Sequence, residues 1–318
     1  MKRYQCVECL KIYTEHNRPQ DFVCKDIDCQ GGGLTGLIIP IEDEDEEPGV
    51  SPVPNGGHRT QTDIWRELGL CVLLMDASGS MDEPAFKDHP FQSKYQAGKL
   101  MSKREVITDN AAKAIFELYQ MLKKDDAYIC IIKFDHRQVE LFTKSVSQIL
   151  SEFASAPDLA KYLYDELAGM NGGTDINSAL RVAHEKSQKF LAGSLPGLGS
   201  YTPLTHTQFS PALNMAIDVP NARVLMYTDG EQLPEYGAVA SPFKNMQPDL
   251  LMGVYIGLLG EKGCTDLQKI VSKCPVHSAD QFFVLDSPQK IATLRGLFRM
   301  ASGTSGFCPA CIGSIALR

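Results

Sequence analysis

The chain has 318 residues, 43% hydrophobic and 22% charged, a balance that excludes the disordered and fibrous classes and fits one large domain with a small appendage. Its 31 Lys and Arg face 39 Asp and Glu for a net charge of −8, but six of the acids form one block at Glu42–Glu47, leaving 33 acids against 31 bases elsewhere. A global attraction to nucleic acid or anionic lipid is therefore absent. No apolar run approaches the roughly 18 residues of a membrane span and Met1–Cys9 lacks the apolar core of a secretory leader, so the expectation is a cytoplasmic protein.

The first element is a cysteine-bearing head over residues 1–41. The chain carries ten cysteines, and where disulfides rarely persist, metal is the better reason for some of them. Cys6-x2-Cys9, fourteen residues and then Cys24-x4-Cys29 fit a four-thiolate Zn²⁺ site of the ribbon type, in which two tight turns each present two sulfurs. A segment of about 40 residues cannot hold together by burial alone, so the metal would supply most of its folding free energy. Free thiols, or His16 in place of one cysteine, are the other readings. In the first 30 residues Lys2, Arg3, Lys11, Arg18 and Lys25 balance Glu8, Glu15, Asp21, Asp26 and Asp28. A ribbon holding nucleic acid through its phosphates is normally basic, so that function is the weaker alternative.

Residues 42–59 read as an extended linker, because the acidic run repels itself and PGVSPVPNGGHR breaks regular structure. From residue 60 to 302 short apolar runs alternate with amphipathic stretches, the pattern of a doubly wound α/β fold with a mostly parallel sheet flanked by helices. Gly69–Met75 is continuously apolar, as in a strand buried on both faces, and stops at Asp76. Residues 81–101 form a connection longer than such folds usually need. Apolar residues at Ile107, Ala111, Ala114, Ile115, Leu118, Met121 and Leu122 predict a helix over Val106–Leu122. Ala127–Phe134 and Gln138–Phe142 read as strands separated by only Asp135, His136 and Arg137, which predicts an antiparallel hairpin at a sheet edge.

Farther along, helices are expected over Pro157–Leu167, Asp175–Leu191 and Thr265–Ser272, and strands over Arg223–Thr228, Leu250–Ile256 and Phe282–Leu285. The long connection Gly193–Asn221 joins a helix end to a strand start, which roots it at the pole opposite Asp76. Ser287-Pro288 reads as the N-cap and first residue of a final helix reaching Ala301. Cys71 and Cys130 sit inside apolar runs and read as small core residues. Residues 303–318 are a tail bearing Cys308-Pro-Ala-Cys311, half of a second zinc site for which Cys264 and Cys274 are the candidate partners. A dimerising tail or a redox dithiol are the alternatives.

Asp76-Ala-Ser78-Gly-Ser80, followed by Met81, resembles the signature of the von Willebrand factor A (VWA) domain, whose metal-ion-dependent adhesion site opens with D-x-S-x-S. Two further parts stand in the family's order: Gly172-Gly173-Thr174-Asp175 ahead of a helix, and Thr228-Asp229-Gly230 after an apolar strand. The resemblance covers about residues 60–302 and implies a Rossmann-like layering. It implies Ser78, Ser80 and Thr174 as direct ligands of a metal ion, with Asp76 and Asp229 acting mainly through waters. It implies as well an adaptor that binds a carboxylate of a partner protein. Among intracellular members with zinc-binding cysteines, the chain is similar to the bacterial TerY-like group of tellurite and stress resistance systems, which contain protein kinases and phosphatases. In that group the cysteine module follows the adhesion fold, whereas here the complete cluster precedes it. Other VWA proteins serve AAA+ ATPases, and a zinc-bearing relative belongs to a eukaryotic transcription and repair factor.

The residues support the same site independently. In open parallel sheets ligands sit outside the carboxyl ends of the strands, where Asp76 and Asp229 both fall. Hydroxyl and carboxylate donors suit a hard cation, Mg²⁺ or Mn²⁺, rather than zinc. The plain alternative is an ordinary strand-to-helix turn, since Asp, Ser and Gly favour turns. No G-x-S-x-G, Walker A or H-E-x-x-H motif is present, and a Mg²⁺-assisted phosphatase using Asp76 would lack an evident general base. The histidines, His58, His136 and His184 among them, are scattered singly. The reading is therefore a binding protein and not an enzyme. Residues 81–101 emerge at the metal pole, which makes Phe86, Phe91 and Tyr95 candidates for an aromatic rim where the partner docks. The alternative is that these rings pack the loop onto its own domain.

Overall fold

A computed structural model describes residues 3–6, 12–14, 38–41, 66–86, 91–122, 127–168, 172–210, 214–220, 222–230, 232–243, 249–274 and 276–291. The chain divides into two compact units, one built on Met1–Trp65 and the other on Arg66–Cys311.

In the first unit β1 (Arg3–Cys6), β2 (Ile12–Thr14) and β3 (Ile38–Ile41) form an antiparallel sheet in the order β2-β1-β3. Cys6 is the last residue of β1. Cys9, Cys24 and Cys29 lie outside the described residues.

The second unit is the expected α/β sheet. Its core strands are β4 (Arg66–Asp76), β5 (Ala127–Phe134) and β6 (Gln138–Ser145). After three helices come β7 (Tyr201–Pro203), β8 (Thr205–Ser210), β9 (Met215–Pro220), β10 (Ala222–Thr228), β11 (Asp249–Ile256) and β12 (Phe282–Leu285). The main order is β12-β11-β10-β4-β5-β6. Every neighbouring pair is parallel except β5 with β6, the edge hairpin turned by Asp135, His136 and Arg137. The helices are α1 (Lys103–Leu122), α2 (Val146–Glu152), α3 (Ala156–Ala168), α4 (Ile176–Leu191) and α5 (Lys262–Ile270).

The central strand explains the layering. Leu68, Leu70, Val72 and Leu74 of β4 pack with Ile176, Ala179, Leu180 and Ala183 of α4 and with Cys264, Leu267 and Ile270 of α5. The alternate residues Cys71, Leu73 and Met75 are equally shut off from solvent, and α1, which packs along α3, buries its whole circumference over Arg104–Ala112. A strand covered on both faces has no polar side to spare, hence the unbroken apolar run. Cys71 and Cys130 are core residues as expected, and burial pushes both thiols up to about 12. No helix among the described residues is long and apolar enough to cross a membrane.

Four features depart from the sequence reading. Helix α1 starts at Lys103, three residues before the apolar periodicity sets in. Helix α2 was not anticipated, although Ser145 and Gln148 form a capping box at its start. The 193–221 connection is structured: β8 and β9 form a hairpin, and β7 pairs with Arg66–Leu68 at the beginning of β4, which roots the insertion at the predicted pole. After Ser287 the chain makes a short 3-10 turn over Pro288–Lys290, with no side-chain cap from Ser287. The remainder of the predicted last helix lies outside the described residues.

From β4 the chain moves to β5 and later returns to the other side of β4 as β10. The order therefore reverses between β4 and β10, and the crevice at their carboxyl ends is where an open α/β sheet binds its ligand.

Candidate metal centre

Both edges of this crevice end in carboxylates. Tyr227 of β10 lies opposite Met75 of β4 in the parallel register, so Asp76 faces Thr228 and Asp229 follows one residue later. Beyond Asp76 the backbone turns away through a 3-10 turn over Gly79–Asp82, hooked onto the end of β5 by Ala77 N–H donating to Phe134 O at 2.8 Å. Asp76 is fully buried. Its Oδ1 accepts from Ser78 N–H at 2.8 Å and its Oδ2 from the Thr228 hydroxyl at 2.5 Å. The hydroxyls of Ser78 and Ser80 lie 3.2 Å apart, and Ser80 donates to Asp229 Oδ1 at 2.9 Å.

Thr174 arrives from the third loop. It is buried just ahead of α4, whose N-cap Asp175 accepts from Ser178 N–H at 3.1 Å. A Cβ placed on Gly230 would fall 2.8 Å from Thr174 Oγ1 and 3.3 Å from Asp76 Oδ2, so Thr174 and Asp76 both press against Gly230, too closely for any side chain at that position. The structure thus brings all five predicted residues, Asp76, Ser78, Ser80, Thr174 and Asp229, to the carboxyl-end crevice. Three hydroxyls and two carboxylates at one crevice form an oxygen donor set that fits a hard divalent cation.

Three contributors were not named from sequence. Thr228 closes β10 and its hydroxyl holds Asp76; the sequence motif Thr228-Asp229-Gly230 includes it but gives it no role. Asp135 ends β5 as Asp76 ends β4, an apolar strand running into an acid, and that signal was available. It is fully buried, and its Oδ2 accepts from Gly172 N–H at 3.1 Å while its carbonyl accepts from Asp175 N–H at 2.8 Å. Lys103, the first residue of α1, donates to Asp229 Oδ2 at 2.5 Å and to Glu83 Oε2 at 3.2 Å.

Electrostatics at the centre are asymmetric. Asp229 has the Lys103 ammonium beside it, whereas burial, with the Asp229 charge adding to it, pushes the Asp76 carboxyl up to about 6. A carboxyl raised above its unfolded value binds its proton better in the folded state. Its contribution is therefore fully present below the unfolded value near 3.8 and is lost as pH rises through about 6. In chelator-treated protein, Asp76→Asn should match the wild type in stability at pH 4 and gain on it progressively up to pH 7, read by urea melts at each pH. A constant difference across that range would contradict this.

The other candidates separate. Phe86 is only 5% exposed and is a packing residue of its loop, so it does not belong to an exposed rim. Tyr95 is partly buried, stacks on Tyr164 with ring centroids 4.6 Å apart and donates to Asp109 Oδ1 at 3.1 Å. Phe91, at 47%, is exposed. Cys264 belongs to the core layer of α5, and Cys274 to a separate cluster with Val276 and Ala279, its Sγ 3.6 Å from His277 Nδ1. Cys308 and Cys311 lie outside the described residues. Among the described residues no three His, Cys, Asp or Glu are grouped to hold a metal, so the oxygen site depends on its hydroxyls.

No family model and no curated protein matches the sequence. Solved structures similar to the chain include proximal thread matrix protein 1 from the mussel byssus, described with a zinc-occupied MIDAS motif. Its identity is 15% and TM-score 0.43, over 75% of this chain and 48% of that one. Others are BatB from Bacteroides thetaiotaomicron, at 12% identity and TM-score 0.39 over 72% and 96%, and the pilus adhesin SpaC from Lactobacillus rhamnosus GG, at 12% and 0.41 over 77% and 32%. The chain spans about half the length of the first of these.

Proposed function

We propose that this chain is a cation-dependent protein-interaction module of the VWA type, without a chemical step of its own. The observation that carries the reading is the meeting of three separate loops at the switch point of the sheet: Ser80 links Ser78 to Asp229, and Thr174 comes together with Asp76 against Gly230. Mg²⁺ or Mn²⁺ would be held by Ser78, Ser80 and Thr174, with Asp76 and Asp229 orienting its waters. A bound divalent ion supplies a positive centre to which a partner's carboxylate can coordinate.

The same pole offers apolar contact area. Phe91 in the loop after β4, together with Leu258 and Leu259 after β11, 59% and 74% exposed, stands on connections leaving the carboxyl ends. This is the arrangement of an interface with a polar anchor and an apolar surround. In the first unit, zinc on Cys6, Cys9, Cys24 and Cys29 would hold the small sheet together. The resemblance to intracellular VWA proteins with zinc-binding cysteines extends the proposal to a bacterial stress-response or phospho-signalling system, in which a kinase, a phosphatase or an AAA+ ATPase presents the carboxylate.

Calorimetry with Mg²⁺ tests the site. Ser80→Ala removes a donor hydroxyl and the anchor of Asp229, and should weaken binding about tenfold or more, since a lost hydrogen bond to a charged group is worth about 1.5–3 kcal/mol. Equal heats for wild type and Ser80→Ala would show that the cation, if bound, sits elsewhere.

A further inference from the structure

Lysine is an unexpected first residue for a helix that begins at a cation site. The amino end of a helix carries partial positive charge, which disfavours an ammonium group there. Lys103 and Arg104 nevertheless occupy the first two positions of α1, and each is held by an acid from the metal loop or its neighbour. Arg104 Nη1 reaches Asp82 Oδ1 at 2.5 Å, and Lys103 spans Asp229 and Glu83. The side chain of Lys103 is 12% exposed and that of Asp229 1%. A nearly buried carboxylate has thus been given a charge partner from within the chain, on the oxygen left free by Ser80.

We infer that Lys103 is a tethered counter-ion of the metal centre: its ammonium neutralises Asp229 when no divalent ion is bound, and it opposes the binding of that ion. The inference rests on the cation reading given above. An ammonium and a divalent cation cannot both sit against one carboxylate in a poorly hydrated crevice without strong repulsion. Loading therefore requires Lys103 to give up Asp229. Glu83, already 3.2 Å from Nζ and half-exposed, is the acceptor that keeps the ammonium paired as it leaves. Glu83 lies three residues beyond Ser80 in the same loop, so a change in cation occupancy at Ser80 is felt directly at the root of the 81–101 connection. The consequence is a centre that stays folded without metal and takes up the ion only above a threshold concentration.

The experiment compares wild type, Lys103→Met and Lys103→Gln by Mg²⁺ and Mn²⁺ calorimetry and by melting in EDTA. The Met variant should bind the cation at least tenfold more tightly and melt lower in EDTA, because Asp229 and Asp76 are left facing each other, with added Mn²⁺ restoring the loss. Lys103→Gln keeps a donor to Asp229 without the charge and serves if the Met variant does not fold without metal; it should show the same tightening. Binding by the variants where wild type shows none would support the inference more strongly. Unchanged or weaker cation affinity in both variants, with wild type binding, overturns the counter-ion role and leaves the cation site standing. Absence of binding in all three proteins overturns both.

Discussion

Replacing Gly230 by Ala is expected to weaken cation binding about a hundredfold and leave the fold in place. The substitution is not one of backbone strain, because Gly230 does not adopt the left-handed conformation that only glycine tolerates easily. Its effect is local and steric. The new methyl would stand 2.8 Å from Thr174 Oγ1 and 3.3 Å from Asp76 Oδ2, against two residues proposed to serve the ion. Backing away is difficult, since a Cβ on Gly263 would already approach Gly230 O to 2.9 Å, and Gly230 N–H is tied to Thr228 Oγ1 at 3.1 Å. Thr174 must therefore yield. Overpacking of this kind costs about 1–3 kcal/mol, too little to unfold a large domain. Loss of a ligand and of volume together should lower Mg²⁺ affinity by about a hundredfold, equal to about 2.7 kcal/mol. Gly79→Ala is the matched control: it lies between Ser78 and Ser80 but has open space where its Cβ would go. If Gly230→Ala and Gly79→Ala both bind Mg²⁺ like wild type, Thr174 is not a ligand of the cation.

The pole that carries this centre was legible in the sequence for a topological reason. A parallel strand must deliver its following loop to the carboxyl end, so Asp76 and Asp229 were placed together once both strands were recognised. The same logic sent the 193–221 insertion to the other pole, where β7 now pairs with the beginning of β4. What escaped were polar residues doing structural work at element ends. Apolar periodicity marks where a helix becomes buried, not where it begins, and so Lys103, Arg104 and Glu105 were left in the loop. They turn out to clamp that loop: Arg104 on Asp82, Glu105 Oε1 on Lys94 N–H at 2.8 Å, and Lys103 on Glu83. Phe86 escaped for a related reason, because nothing in a single sequence separates a loop aromatic that packs inward from one that faces solvent.

Asp135 shows how much of the site depends on a residue that touches no proposed ligand directly. Between two strands, Asp135-His136-Arg137 reads as a turn, which it is; but the side chain also accepts hydrogen bonds for two separate backbone segments. Oδ1 takes Arg137 N–H at 2.7 Å, closing the hairpin, and Oδ2 takes Gly172 N–H at 3.1 Å, drawing in the loop that carries Thr174. His136 Nδ1, at 3.1 Å from Oδ2, completes the surround. The loop is pressed so close that a Cβ on Gly172 would stand 2.7 Å from Asp135 Oδ2, which explains why glycine precedes Thr174 in this chain. Asp135→Ala strips both N–H groups of their acceptor, but the donors belong to exposed Arg137 and half-buried Gly172, so each lost hydrogen bond costs about 0.5–1.5 kcal/mol. The variant should therefore lose about 1–3 kcal/mol in urea melts. Mg²⁺ binding should fall with it, because Thr174 sits two residues from the freed Gly172. Asp135→Asn keeps an oxygen for one donor and presents N–H₂ to the other, and should fall between the two. A stability loss below about 0.5 kcal/mol for Asp135→Ala would mean that the loop is held in place by other contacts. Stability lost with Mg²⁺ affinity intact would mean that Thr174 is positioned by α4 and its Asp175 cap instead.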